Sequence, residues 1–268
     1  MEQMASASYS RIQTYKSCRR LYELKYVYGV KSTEKIDALE RGTSYHEKVE
    51  KILKGDDFEI DDPKTSAMAM AFKEYILPQL QPVAQEEWFK YKTEFGDEFI
   101  GRVDALNADG AIIEHKTTSG DIDEEYWYSR DIDEQLMTYM YAYGTRKAYY
   151  TVCKTPTIRL KKDETDESFY RRCLDWFNED TESKIAMRVI YHTDEEINAF
   201  IAEQALTIKE MKECKLFYKN QSYCTKWNRM CEYAPICQHY DPTQTYVGFE
   251  KREEKKDETD NNGLVLLQ

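Results

Sequence analysis

No stretch of the 268-residue sequence approaches the ~20 apolar residues of a membrane-spanning helix. The start, Met1-Glu-Gln-Met-Ala-Ser-Ala-Ser8, lacks the basic region and apolar run of a secretory leader. These absences lead to the expectation of a soluble protein of the cytoplasm, in a microbe or a virus-infected host cell, with no membrane partner. Positive charge is also short: 38 lysines and arginines face 50 aspartates and glutamates, for a net charge of -12. That balance argues against a passive nucleic-acid coat, which would want a broad basic face. It leaves room for an enzyme that meets DNA through a narrow site, where bound cations supply the missing charge. Close cysteine pairs and internal repeats are absent as well. The seven cysteines are an odd number in a chain too long to need stapling, so disulfides are not expected and metal or cluster binding is the better use. What the sequence does have is a 41% hydrophobic content, enough for the core of one large domain or two modest ones.

Apolar spacing predicts helices over Ser10 to Val27, Ala38 to Leu53 and Ser66 to Leu80. The period then changes to that of strands, at Trp88 to Glu94, Phe99 to Leu106 and Ala111 to Lys116. Asp133 to Tyr143 reads as a helix, Ala148 to Cys153 with Thr157 to Leu160 as a hairpin, and Met187 to Tyr191 as a strand. Thr193-Asp-Glu-Glu196 is a capping box opening a helix to about Lys212. From Glu250 to Asp260 nearly every residue is charged, which predicts disorder, and the apolar Gly263 to Gln268 reads as a partner-docking peptide or, the favoured reading, a frayed end.

The most informative segment runs from Gly101-Arg-Val-Asp104 to Glu114-His-Lys116. Alternate side chains on a strand share a face, so Glu114 and Lys116 lie together and His115 points the other way. A three-residue loop at Ala108-Asp109-Gly110 would set Asp104 opposite Glu114, with Cβ atoms ~5 Å apart. A two-residue turn at Asp109-Gly110 would put Asp104 on the face of His115; the first register is favoured. Two carboxylates held that close need a cation or a proton between them. Oxygen ligands suit Mg²⁺ or Mn²⁺, and a lysine on the same face can steady charge developing on a phosphate. The plain alternative is a solvated strand face of mixed charge.

These residues resemble the core of the PD-(D/E)XK nuclease superfamily, in its RecB-like form. Arg41-Gly-Thr-Ser-Tyr-His46-Glu47 is similar to the helical motif that carries the family's metal-binding histidine, and Gln135-Leu-Met-Thr-Tyr139 to its QxxxY motif. The motifs occur in the family's order. The resemblance implies an α/β fold with a central mixed sheet flanked by helices. It implies Asp104, Glu114 and Lys116 as catalytic residues, and His46, Asp104, Glu114 and the His115 carbonyl as ligands of Mg²⁺ or Mn²⁺. Gln135 and Tyr139, on one helix face, would contact DNA. The expected activity is exonucleolytic hydrolysis at DNA ends with single-strand preference, beside a recombination or helicase partner.

Cys224, Cys231 and Cys237 fall within fourteen residues, one ligand short of a four-thiolate site. The set resembles that of iron–sulfur RecB-like nucleases, in CRISPR spacer acquisition and recombination, where one N-terminal cysteine joins three C-terminal ones around a [4Fe–4S] cluster. This implies Cys18 as the fourth ligand. The spacing departs from the family's close pair, because Asn228 stands where the extra cysteine would be. Zinc would want close pairs; buried free thiols are the plain alternative. Cys153, Cys173 and Cys214 are unassigned, with Cys153 expected in a strand core. A non-catalytic iron–sulfur scaffold is a further alternative. The expected organisation is one nuclease domain over residues 1–249. It comprises a helical part to about 85, a core over about 86–213 and a cluster segment over about 214–240, with a charged tail at 250–268.

Overall fold

The structure is a computed structural model; it describes residues 6–34, 36–226 and 229–252, and the backbone of 265 and 266. The chain begins with α1 (Tyr9–Ser17) and α2 (Arg19–Tyr22), which runs into a π turn at Glu23–Val27. The single helix expected from Ser10 to Val27 is broken at Cys18, whose φ of -161° and ψ of 112° are extended. The interruption comes from distant chain: the Cys18 thiol accepts a hydrogen bond from the Asn220 N–H at 3.4 Å, and Asn220 Nδ2 donates to the Ser17 carbonyl at 2.8 Å. After β1 (Val30–Ser32) come α3 (Asp37–Lys54) and α4 (Pro63–Ala71). Asp62 caps α4 by accepting from the Thr65 N–H, with Pro63 in the first turn where its missing donor costs nothing.

Strands β2 (Pro82–Lys92), β3 (Glu98–Asn107) and β4 (Ile112–Thr118) follow, then α5 (Glu124–Asp131) and α6 (Glu134–Tyr143). Strand β5 (Lys147–Lys154) lies parallel to β4 and antiparallel to β6 (Ile185–Tyr191). A parallel pair needs a crossover, which α5 and α6 supply. The hairpin expected between Ala148–Cys153 and Thr157–Leu160 does not form, because both edges of β5 are already paired. Instead α7 (Asp166–Glu179) intervenes before β6. The chain continues through α8 (Asp194–Glu213), α9 (Gln221–Cys224), α10 (Ala234–Cys237), β7 (Phe249–Lys251) and β8 (Val265–Leu266). The capping box of α8 is reciprocal: Thr193 N–H donates to Glu196 at 2.8 Å and Glu196 N–H to Thr193 Oγ1 at 3.2 Å.

The fold is α/β, with a central mixed sheet in the order β6-β5-β4-β3-β2 flanked by helices. Val265 and Leu266, expected to fray, pair with Phe89 and Lys90 at the β2 edge. Glu250 and Lys251, at the head of the run expected to be disordered, pair with β1; the rest of that run from 253 lies outside the described residues. Among the described residues, no helix is long and apolar enough to cross a membrane.

The chain forms two compact units, one of residues 37–88 and 102–200, the other of 1–36, 89–101 and 201–268. The core of the first is built by Tyr45, Val49 and Ile52 of α3, Met68 of α4 and Phe72 just after it, Ala105, Ile113 and Cys153 of the sheet, and Phe169, Cys173 and Phe177 of α7. In the second unit Leu24, Val30, Tyr233 and Ile236 form one buried cluster, and Phe89, Tyr91 and Phe99 of the sheet are buried there as well.

Candidate active site

The β3–β4 loop sets the geometry. Asn107 N–H donates to the Ala111 carbonyl at 2.9 Å, and Gly110 has φ 79°, the left-handed conformation that glycine adopts at little cost. Asp109 fastens the loop, accepting from Asn107 Nδ2 at 2.8 Å and the Ala111 N–H at 3.2 Å. Lys147, foremost, holds the Asp109 carboxyl below the usual carboxylate range. The register that follows pairs Ala105 with Ile113 and Leu106 with Ile112, so Asp104 stands opposite Glu114. This is the three-residue register.

Around that pair three separated segments meet. Asp104 Oδ2 accepts from the His115 N–H at 2.8 Å, and Oδ1 faces His46 Nδ1 of α3 at 3.4 Å. Burial alone would raise the Asp104 carboxyl, but the His46 hydrogen bond and the charges of His46, His115 and Lys116 outweigh it and hold it low. Burial likewise opposes a charged His46, and Asp104 overcomes that to raise its pKa. Lys116 Nζ donates to Glu114 Oε1 and to Gln135 Oε1, the latter at 2.8 Å. Gln135 Nε2 donates in turn to the Tyr139 hydroxyl at 2.7 Å. Asp133, the cap of α6, accepts from the Gln135 N–H at 2.9 Å and so fixes the start of that helix. Glu114, Lys116, Gln135 and Tyr139 thus form one connected string of polar contacts.

The buried Glu114 carboxyl is pushed up to about 7, chiefly by desolvation, with Lys116 opposing and Asp104 adding. Its Oε2 is buried and has no hydrogen-bond partner. An unpaired buried carboxylate oxygen is costly unless a cation or proton satisfies it. The His115 ring lies on the inner side, its Nδ1 2.7 Å from Thr151 Oγ1 and its edge against Phe72 at 4.9 Å between centroids. Burial lowers its pKa to about 4.

The donor set has the chemistry of a hard divalent cation's ligands: two facing carboxylates, one of them with an orphaned oxygen, and one imidazole. The side chains are engaged with one another rather than drawn into a cage, and among the described residues no group of three or more His, Cys, Asp or Glu is arranged to hold a metal ion.

Two further side chains beside Asp104 have no role assigned by the sequence pattern. Arg102 lies two residues before Asp104 and shares its open face on β3, and its Nε is 2.6 Å from Glu86 Oε2. Glu86 has φ 54°, the one positive value at a non-glycine among the described residues. Such a conformation costs on the order of 1–3 kcal/mol and collects at functional sites. A Glu-Glu pair in a strand gives no hint of it. The preceding Gly101 is explained by packing, since a Cβ there would run into the Phe89 ring.

In the other unit, Cys18, Cys224, Cys231 and Cys237 line a single cavity of about 200 Å³, with Leu24 and Tyr223 among its other walls. Cys231 N–H donates to the Cys224 carbonyl at 2.8 Å, closing the loop between them. All four are free thiols; burial pushes those of Cys231 and Cys237 up. Cys153 and Cys173 sit apart in the core of the first unit, and the Cys214 thiol donates to the Leu216 carbonyl at 3.5 Å.

The profile of the PD-(D/E)XK nuclease superfamily matches residues 6–238, and the chain belongs to that superfamily. Among solved structures, a putative exonuclease from Eubacterium rectale is similar at 13% identity and a TM-score of 0.54, covering 91% of each chain. An alkaline exonuclease from Laribacter hongkongensis is 16% identical with a TM-score of 0.33, over 79% of this chain and 93% of that one. At these identities the first likeness speaks to fold alone, and the second carries no argument. No curated protein matches the chain.

Proposed function

We propose that this protein is a Mg²⁺- or Mn²⁺-dependent deoxyribonuclease that hydrolyses phosphodiester bonds at DNA ends, with preference for single strands. The observation that carries the reading is the position of Asp104 opposite Glu114 beside a lysine already held by two partners. Asp104, Glu114, His46 and the His115 carbonyl would hold the metal. When bound, such an ion activates water and neutralises charge on the phosphate. Lys116 orients the attacking water and steadies the charge that builds on the phosphate oxygens. Gln135 fixes Lys116, Tyr139 fixes Gln135, and both flank the path of the strand.

Cys18, Cys224, Cys231 and Cys237 are proposed as ligands of a [4Fe–4S] cluster joining the N-terminal helices to the C-terminal segment. Zinc, with Zn–S bonds of about 2.3 Å, draws its thiolates into near contact. The close cysteine pairs that zinc sites use are absent from the sequence, and four thiolates suit an iron–sulfur cluster. The catalytic reading is tested by incubating the protein with end-labelled single- and double-stranded DNA, with Mn²⁺ and with excess chelator. Shortening from ends that needs the metal supports it, and cleavage that persists in chelator contradicts it.

A further inference from the structure

The string of contacts through Lys116 accounts for one side of the carboxylate pair; the Glu86–Arg102 pair lies on the other and has no part in it. Strand β3 alternates, with Val103 and Ala105 buried and Arg102 and Asp104 on the open face. The Arg102 side chain is 49% exposed while that of Glu86 is 18% exposed, so the carboxylate is anchored and the guanidinium reaches outward. Trp88 supplies a floor, with the guanidinium carbon 5.4 Å from the ring centre. Burial, foremost, pushes the Glu86 carboxyl up; Arg102 and His46 oppose that, and Asp104 and Glu50 add to it. A cation fixed on two sides, beside carboxylates, in a chain of net charge -12, is an arrangement that serves an anionic ligand.

We propose that Arg102 binds a backbone phosphate of the DNA strand next to the bond being cut, and that Glu86 is the positioning residue that aims it. This rests on the nuclease reading and adds a substrate contact to it. The planar guanidinium, ion-paired with Glu86 on its Nε side, presents its outer N–H groups as a fork that matches two phosphate oxygens. Holding the cation beforehand lowers the ordering cost when the strand arrives.

The test has two arms. In the first, a labelled single-stranded oligonucleotide is titrated by anisotropy across a salt series without divalent metal. Arg102→Ala and Arg102→Gln should weaken binding roughly ten-fold and lower the slope of log affinity on log salt by about 0.7, one phosphate contact on a single strand. Arg102→Lys keeps the charge and should keep the slope. In the second arm, cleavage by Glu86→Gln is compared with and without Arg102. Glu86→Gln should lower kcat several-fold in the wild-type background and change nothing once Arg102 is alanine, because it acts through that residue. A wild-type salt slope in Arg102→Ala and Arg102→Gln, or an equal Glu86→Gln loss in both backgrounds, overturns the proposal. The binding arm needs no cleavage, so a wild-type protein that binds without cutting would remove the nuclease reading and leave Arg102 to be judged by its slope.

Discussion

The carboxylate–lysine site and the cysteine cavity are organised in opposite ways. At the first, the functional groups are already bonded to one another: Asp104 to His46 and the His115 N–H, Glu114 to Lys116, and Lys116 to Gln135. At the second, four thiols line a space and no tight ligand group forms among the described residues. The first site has its geometry fixed by a sheet, whose register is set by a short loop. The second is built from a helix break, two one-turn helices and the loops between them, so a ligand there has more of the folding to do. Removing a side chain should therefore cost mainly rate at the first site and mainly stability at the second.

The greatest loss is expected at the cavity. Cys18→Ala and Cys237→Ala should lose iron and colour and melt at markedly lower temperature, while Cys153→Ala keeps its iron. Linking Cys18 to Cys224 closes a loop of about 200 residues, worth roughly 5 kcal/mol in a cross-link picture. Iron and sulfide content with melting curves, on protein purified without oxygen, decide this, and full iron in Cys18→Ala would erase the contrast between the two sites. Next comes Lys116→Ala, which should lower DNA cleavage by about 10²–10³ with an unchanged melting temperature and unchanged iron. A large melting shift would mean that this site, too, is chiefly structural. Tyr139→Phe removes the hydroxyl that accepts from the Gln135 amide. It should lower kcat by roughly ten-fold or less, the value of one hydrogen bond, and steady-state kinetics would show whether the string of contacts transmits at all. The mildest change is Gly110→Ala, which forces a side chain into φ 79°. It should cost about 1 kcal/mol in chemical denaturation and, by loosening the register, a modest part of the rate.

What could be read in advance divides along the same line. The opposition of Asp104 and Glu114 was legible because Ala108-Asp109-Gly110 has the length and the glycine that the register needs. The helix of His46 and the strands β3 to β6 were visible in apolar spacing. The contact of Lys116 with Gln135 was not visible in spacing, and the family resemblance implied only that Gln135 and Tyr139 contact DNA. Helix α7 has sequence signals of its own, since Thr165 caps it and Phe169, Cys173 and Phe177 recur at helical intervals. The break at Cys18 and the backbone of Glu86 could not be read locally. One depends on Asn220, some two hundred residues away, and the other on a dihedral angle that no residue pattern announces.

The nuclease reading stands on Asp104 and Glu114 together holding a divalent cation for phosphodiester hydrolysis. A Mn²⁺ titration by calorimetry probes this without intermediaries, using the wild-type protein, Asp104→Asn and Glu114→Gln, each checked for native melting. The expected outcome is a saturable site in the wild-type protein that either substitution abolishes, together with cleavage of end-labelled DNA. Equal Mn²⁺ affinity in all three folded proteins would contradict it.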